Sequence, residues 1–75
     1  MRTNHAVCPL YLWHPTLTTS APYFKVNIRL NEVSTVDQIL RKQMNAKYNL
    51  DRNLYEFPDR NHFALALERI TNFIE

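Results

Sequence analysis

The clearest pattern in the chain runs from Tyr23 to Leu40, YFKVNIRLNEVSTVDQIL. Apolar and polar residues alternate through its first half. Phe24, Val26, Ile28 and Leu30 fall on one side, and Tyr23, Lys25, Asn27 and Arg29 on the other. A period of two with one polar side predicts an antiparallel strand covered on one face. After "NEVS" the period changes. Val36, Ile39, Leu40, Met44 and Tyr48 recur at helical intervals. Thr35 is a good N-cap, with Gln38 at the spacing of a capping box. Asn49 suits the left-handed cap position, and Leu50 the apolar contact that accompanies it. The pattern predicts a helix over 35–48 whose stripe shares one core with the inner side of the strand.

The flanking segments are shorter. AVCPLYLW, from Ala6 to Trp13, is rich in strand formers but contains Pro9. Proline donates no ladder hydrogen bond, which predicts an edge strand or one beginning after Pro9. His14–Pro22 reads as a loop, with two prolines around a Ser/Thr-rich run. Arg52–Pro58, RNLYEFP, is short and aromatic and reads as a third strand ended by Pro58. The last segment, 59–75, reads as a helix capped by Asp59 or Asn61, with Phe63, Ala66, Leu67, Ile70, Phe73 and Ile74 as its stripe. Over 62–67 the alternation also fits a strand. The whole is a single small α+β domain over 1–75: a small antiparallel sheet packed on one main helix, in the order β-β-α-β-(α), with residues 1–5 frayed.

Composition removes several function classes. At 75 residues the core is modest, so a partner or second copy adds stability. The chain contains no glycine. That leaves no phosphate-cradling loop, no dinucleotide fingerprint and no nucleophile elbow. Turns fall to eight Asn and four Pro, and Asn is the next most tolerant of positive φ. A single cysteine excludes an intrachain disulfide. No apolar run approaches a membrane span, and Pro9 breaks the only stretch resembling a signal segment. The expected setting is cytoplasmic or nuclear, away from membranes.

YFKVNIRL, STVDQILRKQMNAKYNL and LYEF together resemble part of a ubiquitin-like β-grasp domain of the Ras-binding or Ras-associating kind. Such domains open with a β-hairpin. A helix starting on Ser/Thr-Val/Ile follows, then a Leu near its end and a short Leu-Tyr-Glu-like strand. The likeness spans residues 6–57. It implies two more strands after Leu54–Phe57, where this chain reads as helix. An incomplete or altered grasp, or a fragment that assembles with the rest of its own domain, is the corresponding expectation. The resemblance also implies a non-enzymatic protein-protein interaction module that meets an acidic partner surface.

Charge bears on the same point. Residues 1–50 hold six Lys/Arg and two Asp/Glu, and residues 51–75 hold three and five. The candidate partner-binding residues are Tyr23, Lys25, Asn27 and Arg29 on the strand, with Arg41 and Lys42 on the helix. Charge steers the encounter and strand-edge pairing supplies backbone hydrogen bonds. The alternative is a small nucleic-acid-binding or regulatory protein of phage or viral type, in which Tyr23, Tyr11 or Trp13 stacks among the cations. A net charge of +2 is low for that role. The nine aromatics exceed what this core holds, which favours an interface, including homodimerisation through an edge strand or the terminal helix. His5, Cys8, His14 and His62 fit no zinc-ligand spacing. Cys8 lacks a visible orienting group for nucleophilic chemistry. Asp59 with Glu56 is better read as a cap and a strand surface. No cofactor, metal or catalytic residue is assigned.

Overall fold

The structure, a computed structural model, describes residues 6–14 and 23–75. Two strands form the first hairpin: β1, Val7–Trp13, and β2, Phe24–Arg29. They pair antiparallel, with Cys8 opposite Ile28, Leu10 opposite Val26 and Leu12 opposite Phe24. The expected loop between them falls mostly outside the described residues, as does the expected fraying of residues 1–5. A 3-10 turn, Leu30–Glu32, leads into α1, Val33–Gln38, which widens into a π turn over Ile39–Gln43. Two short strands follow, β3, Lys47–Asn49, and β4, Leu54–Glu56. Helix α2, Arg60–Ile70, and a last 3-10 turn, Thr71–Phe73, close the chain.

The sheet order is β2-β1-β4-β3. β3 and β4 are antiparallel, but β4 lies parallel to β1, with Leu12 beside Tyr55 and Trp13 beside Glu56. The sheet is therefore mixed rather than antiparallel. β1 is central rather than an edge strand, and it begins before Pro9. Proline is tolerated because β4 pairs only at Leu12 and Trp13. The Pro9 end of β1 has no neighbour on that side among the described residues.

The core forms where even-numbered residues of the first hairpin meet the helices. Leu12, Ile28, Val36, Leu40, Ala66 and Ile70 are completely buried, and Leu10, Val26, Met44, Tyr55, Phe57 and Phe63 nearly so. Strand and helix stripes do share one interior, but the ends of the strand pattern do not reach it. Phe24 is 45% exposed and Leu30 57%. Val26 and Ile28 sit beneath the helices, whereas Leu30 has already left the strand for the 3-10 turn. Phe24 makes an edge-to-face contact with Phe63, ring centroids 6.4 Å apart.

The main helix also differs from its pattern. It starts at Val33, and Thr35 lies exposed inside it rather than capping it. The 3-10 turn feeds straight into the helix, with the Val33 N–H donating to the Leu30 carbonyl. It ends at Gln43 rather than Tyr48. Met44 N donates to Ile39 O at 3.1 Å, and Asn45 takes a left-handed φ of 58°. Asn45, not Asn49, therefore performs the chain reversal, and Tyr48 belongs to β3. Leu50, expected to cover the helix end, is instead 82% exposed in the β3–β4 turn. The second positive φ, 56°, falls on Asn53 at the end of that turn.

Helix α2 covers Arg60–Ile70 of the helix expected over 59–75, and Phe73 and Ile74, expected on its stripe, fall instead in the closing 3-10 turn and in a bridge to the sheet. Residues 62–67 are helical. Phe63, Ala66 and Ile70 are buried at intervals of three and four. Asp59 caps it, its Oδ1 accepting from the His62 N–H at 2.8 Å and facing His62 Nδ1 at 2.7 Å. After α2, Ile74 forms an antiparallel bridge to Ile28, and the Glu75 N–H donates to the Asn27 carbonyl at 2.6 Å. The last residues thus lie along the outer edge of β2. No helix among the described residues is long and apolar enough to cross a membrane.

The hydrogen bonds from His62 hold the Asp59 carboxyl below its ordinary pKa, the backbone N–H contributing most. A depressed carboxylate pKa stabilises the fold above the unfolded value, and that contribution disappears as pH falls through the folded one. Asp59→Ala removes the cap and is expected to lower the melting temperature by roughly 4–8 °C at neutral pH. Asp59→Asn, which still caps, is expected to retain most of the stability. It should flatten the acid limb of the stability curve below about pH 4. Thermal melts across pH 2–7, an interval chosen around that carboxylate range, check both expectations.

Candidate binding surface

Because the helices cover one side of the sheet, its odd-numbered positions on the first hairpin face away from them. Val7, Pro9, Tyr23, Lys25 and Asn27 are exposed there, and Tyr11 and Trp13 are half-buried. Register fixes their neighbours. Tyr11 stands opposite Lys25, Pro9 opposite Asn27, and Val7 opposite Arg29. On the other half of the sheet Lys47 pairs with Glu56, beside Trp13, and Asn49 pairs with Leu54. Leu54 is only 2% exposed, yet it lies apart from the main core. Tyr11 and Tyr23 border it on this side of the sheet. Their rings meet edge to face at a centroid distance of 5.0 Å, a favoured aromatic geometry.

Of the six candidate residues, Tyr23, Lys25 and Asn27 therefore share the uncovered face. Arg29 begins on the same strand face but turns to the chain's end. Its Nη2 donates to the Asn72 carbonyl at 3.1 Å, and Nη1 lies 3.7 Å from the Glu75 carboxylate. Arg41 and Lys42 belong to the π turn, in the helical layer. Arg41 lies over the β3–β4 half, at the opposite end of the strand order from β2. The structure thus separates these two cations from the strand group.

Arg41 is also engaged. Its Nε donates to Asp37 Oδ1 at 2.8 Å, one helical turn away. Its guanidinium carbon lies 5.5 Å from the Tyr48 ring centroid and 6.0 Å from that of Tyr55, within cation–π range. The Tyr55 hydroxyl donates to the same Asp37 oxygen. The bond to Asp37 raises the Arg41 pKa. Burial, followed by the bond to Asp37, raises that of Tyr55. This cluster ties α1 to β4 and acts structurally.

Two further cations lie outside the candidate set: Lys47, which reads from the sequence as helical, and Arg52, which reads as the start of the third strand. Lys47 stands on β3, and Arg52 lies in the β3–β4 turn. A turn pattern at Asn49–Asn53 would have exposed them, but it was hidden inside an apparent helix end. Lys47 borders a half-open cleft of about 440 Å³, together with Trp13, Glu56, Phe57 and Pro58. Arg52, with Tyr11, Tyr23, Asn53 and Leu54, lines a smaller hollow of about 160 Å³.

The weaker constellations do not assemble. His14 is buried against Phe63, ring centroids 5.2 Å apart, and His62 is engaged at the α2 cap. His5 lies outside the described residues. Among the described residues no three His, Cys, Asp or Glu side chains are grouped to hold a metal. Glu56 accepts from Asn49 Nδ2 at 3.3 Å, while Asp59 caps α2. Comparison of the chain with protein-family models, curated proteins and solved structures gives no match.

Tyr55 yields a prediction. Its raised pKa means that its neutral form stabilises the fold below the ordinary tyrosine value. That contribution is lost as pH climbs above about 10. Alkaline titration followed by tyrosinate absorbance should show one phenol ionising last, together with unfolding. Tyr55→Phe should remove that phase and cost about 1–2 kcal/mol at neutral pH, measured by denaturant unfolding.

Proposed function

We propose that the chain is a non-enzymatic protein-binding module of ubiquitin-like character, which meets an acidic partner surface through the uncovered face of its sheet. One observation carries the reading. The helices occupy one side of the sheet, and the opposite side presents Tyr23, Lys25 and Asn27 beside half-buried Tyr11 and Trp13. Tyr and Trp are the residue types that dominate interface energetics, and lysine at the margin favours carboxylates. Lys25 and Lys47 make no ion pair among the described residues, whereas Arg29 and Arg41 do.

The topology lends further support. An opening hairpin, a helix and a later Leu-Tyr-Glu strand parallel to β1 are compatible with the resemblance, with β3 an additional strand between the helix and β4. After that strand the chain departs from it, with α2 in place of two more strands. Edge pairing contributes less than the resemblance implies. The β2 edge is occupied at Asn27 and Ile28 by Glu75 and Ile74, which leaves Phe24–Val26.

Nucleic acid is the second reading, since aromatic rings lie among cations on one face. The edge-to-face contact of Tyr11 with Tyr23 favours a packed protein contact over a stacking platform. Lys25→Glu is expected to slow association with a captured partner by about tenfold at low salt, an effect that shrinks as salt screens the charge and that nuclease treatment leaves unchanged. Surface-plasmon kinetics of the nuclease-treated partner measures this. A steep loss of affinity with salt, scaling with phosphate contacts, would instead select nucleic acid.

A further inference from the structure

We propose that the hollow between Tyr11, Tyr23 and Leu54 is an anchor site for one apolar side chain carried by an acidic segment of the partner. The inference deepens the reading of the uncovered face and rests on it. Leu54, almost fully covered and outside the main cluster beneath the helices, forms the floor of the hollow. The two tyrosine rings border it on the hairpin side, and Arg52 and Asn53 complete the wall. The volume, about 160 Å³, is below the pockets of about 300 Å³ and more that accept drug-sized molecules. It is the size of a side-chain socket.

Charge decides what surrounds that side chain. Lys25 lies across the ladder from Tyr11, and Arg52 stands on the other side of the hollow. An apolar residue seated between them places its sequence neighbours beside an ammonium on one flank and a guanidinium on the other. Carboxylates suit both positions, and the guanidinium fork binds one in bidentate fashion. Local structure holds the turn before any partner arrives. Asn49 Oδ1 accepts from the Arg52 N–H at 3.1 Å, Asn53 sits in the left-handed region, and the Asn53 side chain accepts from the Tyr48 hydroxyl. A fixed turn reduces the ordering cost of binding.

The test is a nitrogen-15 NMR titration of the full chain with synthetic peptides. One peptide carries a central phenylalanine flanked by aspartate and glutamate. A second has alanine at the centre, and a third has lysine in place of the acids. The phenylalanine peptide should bind about tenfold more tightly than the alanine peptide, with shifts centred on Tyr11, Tyr23, Arg52 and Leu54. The basic peptide should not bind. Arg52→Glu and Tyr23→Ala should each weaken binding about tenfold while keeping a dispersed spectrum. Arg69→Glu, the same change of charge on α2, should leave it unaltered. Equal binding of the phenylalanine and alanine peptides, mapped to Lys25, would overturn the anchor and spare the acidic-partner reading. No binding by either acidic peptide would overturn both. Displacement of the acidic peptide from these residues by an excess of oligothymidylate, with tighter binding, would overturn the anchor in favour of nucleic acid.

Discussion

Two ladder pairs join the halves of the sheet, Leu12 with Tyr55 and Trp13 with Glu56. Without that parallel contact the chain is two hairpins and two helices, and a lone two-stranded hairpin is marginal in water. Parallel pairing requires a crossover, which the 3-10 turn, α1 and the π turn supply. The short ladder persists because of what lies under it. Leu12 is completely buried, Tyr55 is 5% exposed, and Phe57 and Phe63 meet beside them at 5.5 Å. The Asp37–Tyr55 bond and the Arg41 contacts then fasten the crossover helix to the strand it delivers. The same junction brings Leu54 alongside Tyr11, so the candidate binding surface exists only once the halves are joined.

The middle of β2 and helix α2 are legible because each keeps a single period over the residues that reach the core. Val26 and Ile28 face inward and Lys25 and Asn27 outward, as alternation requires. Asp59 caps where a short acidic residue precedes an apolar stripe. The region 44–53 was not legible, because two structures share one pattern there. Met44 and Tyr48 stand four apart, as on a helix, yet Tyr48 reaches the interior from a strand. The deciding residue is Asn45, whose positive φ ends the helical path. Asn is the residue that this glycine-free chain was expected to use for such conformations, but eight of them leave the position open.

The candidate surface is partly legible for a related reason. Strand alternation puts Tyr23, Lys25 and Asn27 on one face without knowledge of any neighbour. Arg41 and Lys42 depend on the rotation of α1 and on which strands it crosses, and neither property is local. Arg29 was misleading in a different way. Its partners, Asn72 and Glu75, lie more than forty positions along the chain, beyond the reach of any spacing rule. Arg52 and Leu54 lie outside the candidate set because Lys47 and Tyr48 read as helix, which hides the partner strand of their hairpin and the turn between them.

The placement of Ile74 and Glu75 bears on colloidal behaviour. Outer strands with unsatisfied amides and carbonyls template growth between molecules, and sheets commonly blunt them with charge, brevity or cover. Here one outer strand is sealed at its middle by the final residues, with Arg29 and Glu75 adding charge there. The opposite one is three residues long and carries a lysine. Such a sheet offers little for cross-β stacking, even though its uncovered face bears three aromatic rings. Contacts made by that face are therefore expected to stop at a single layer.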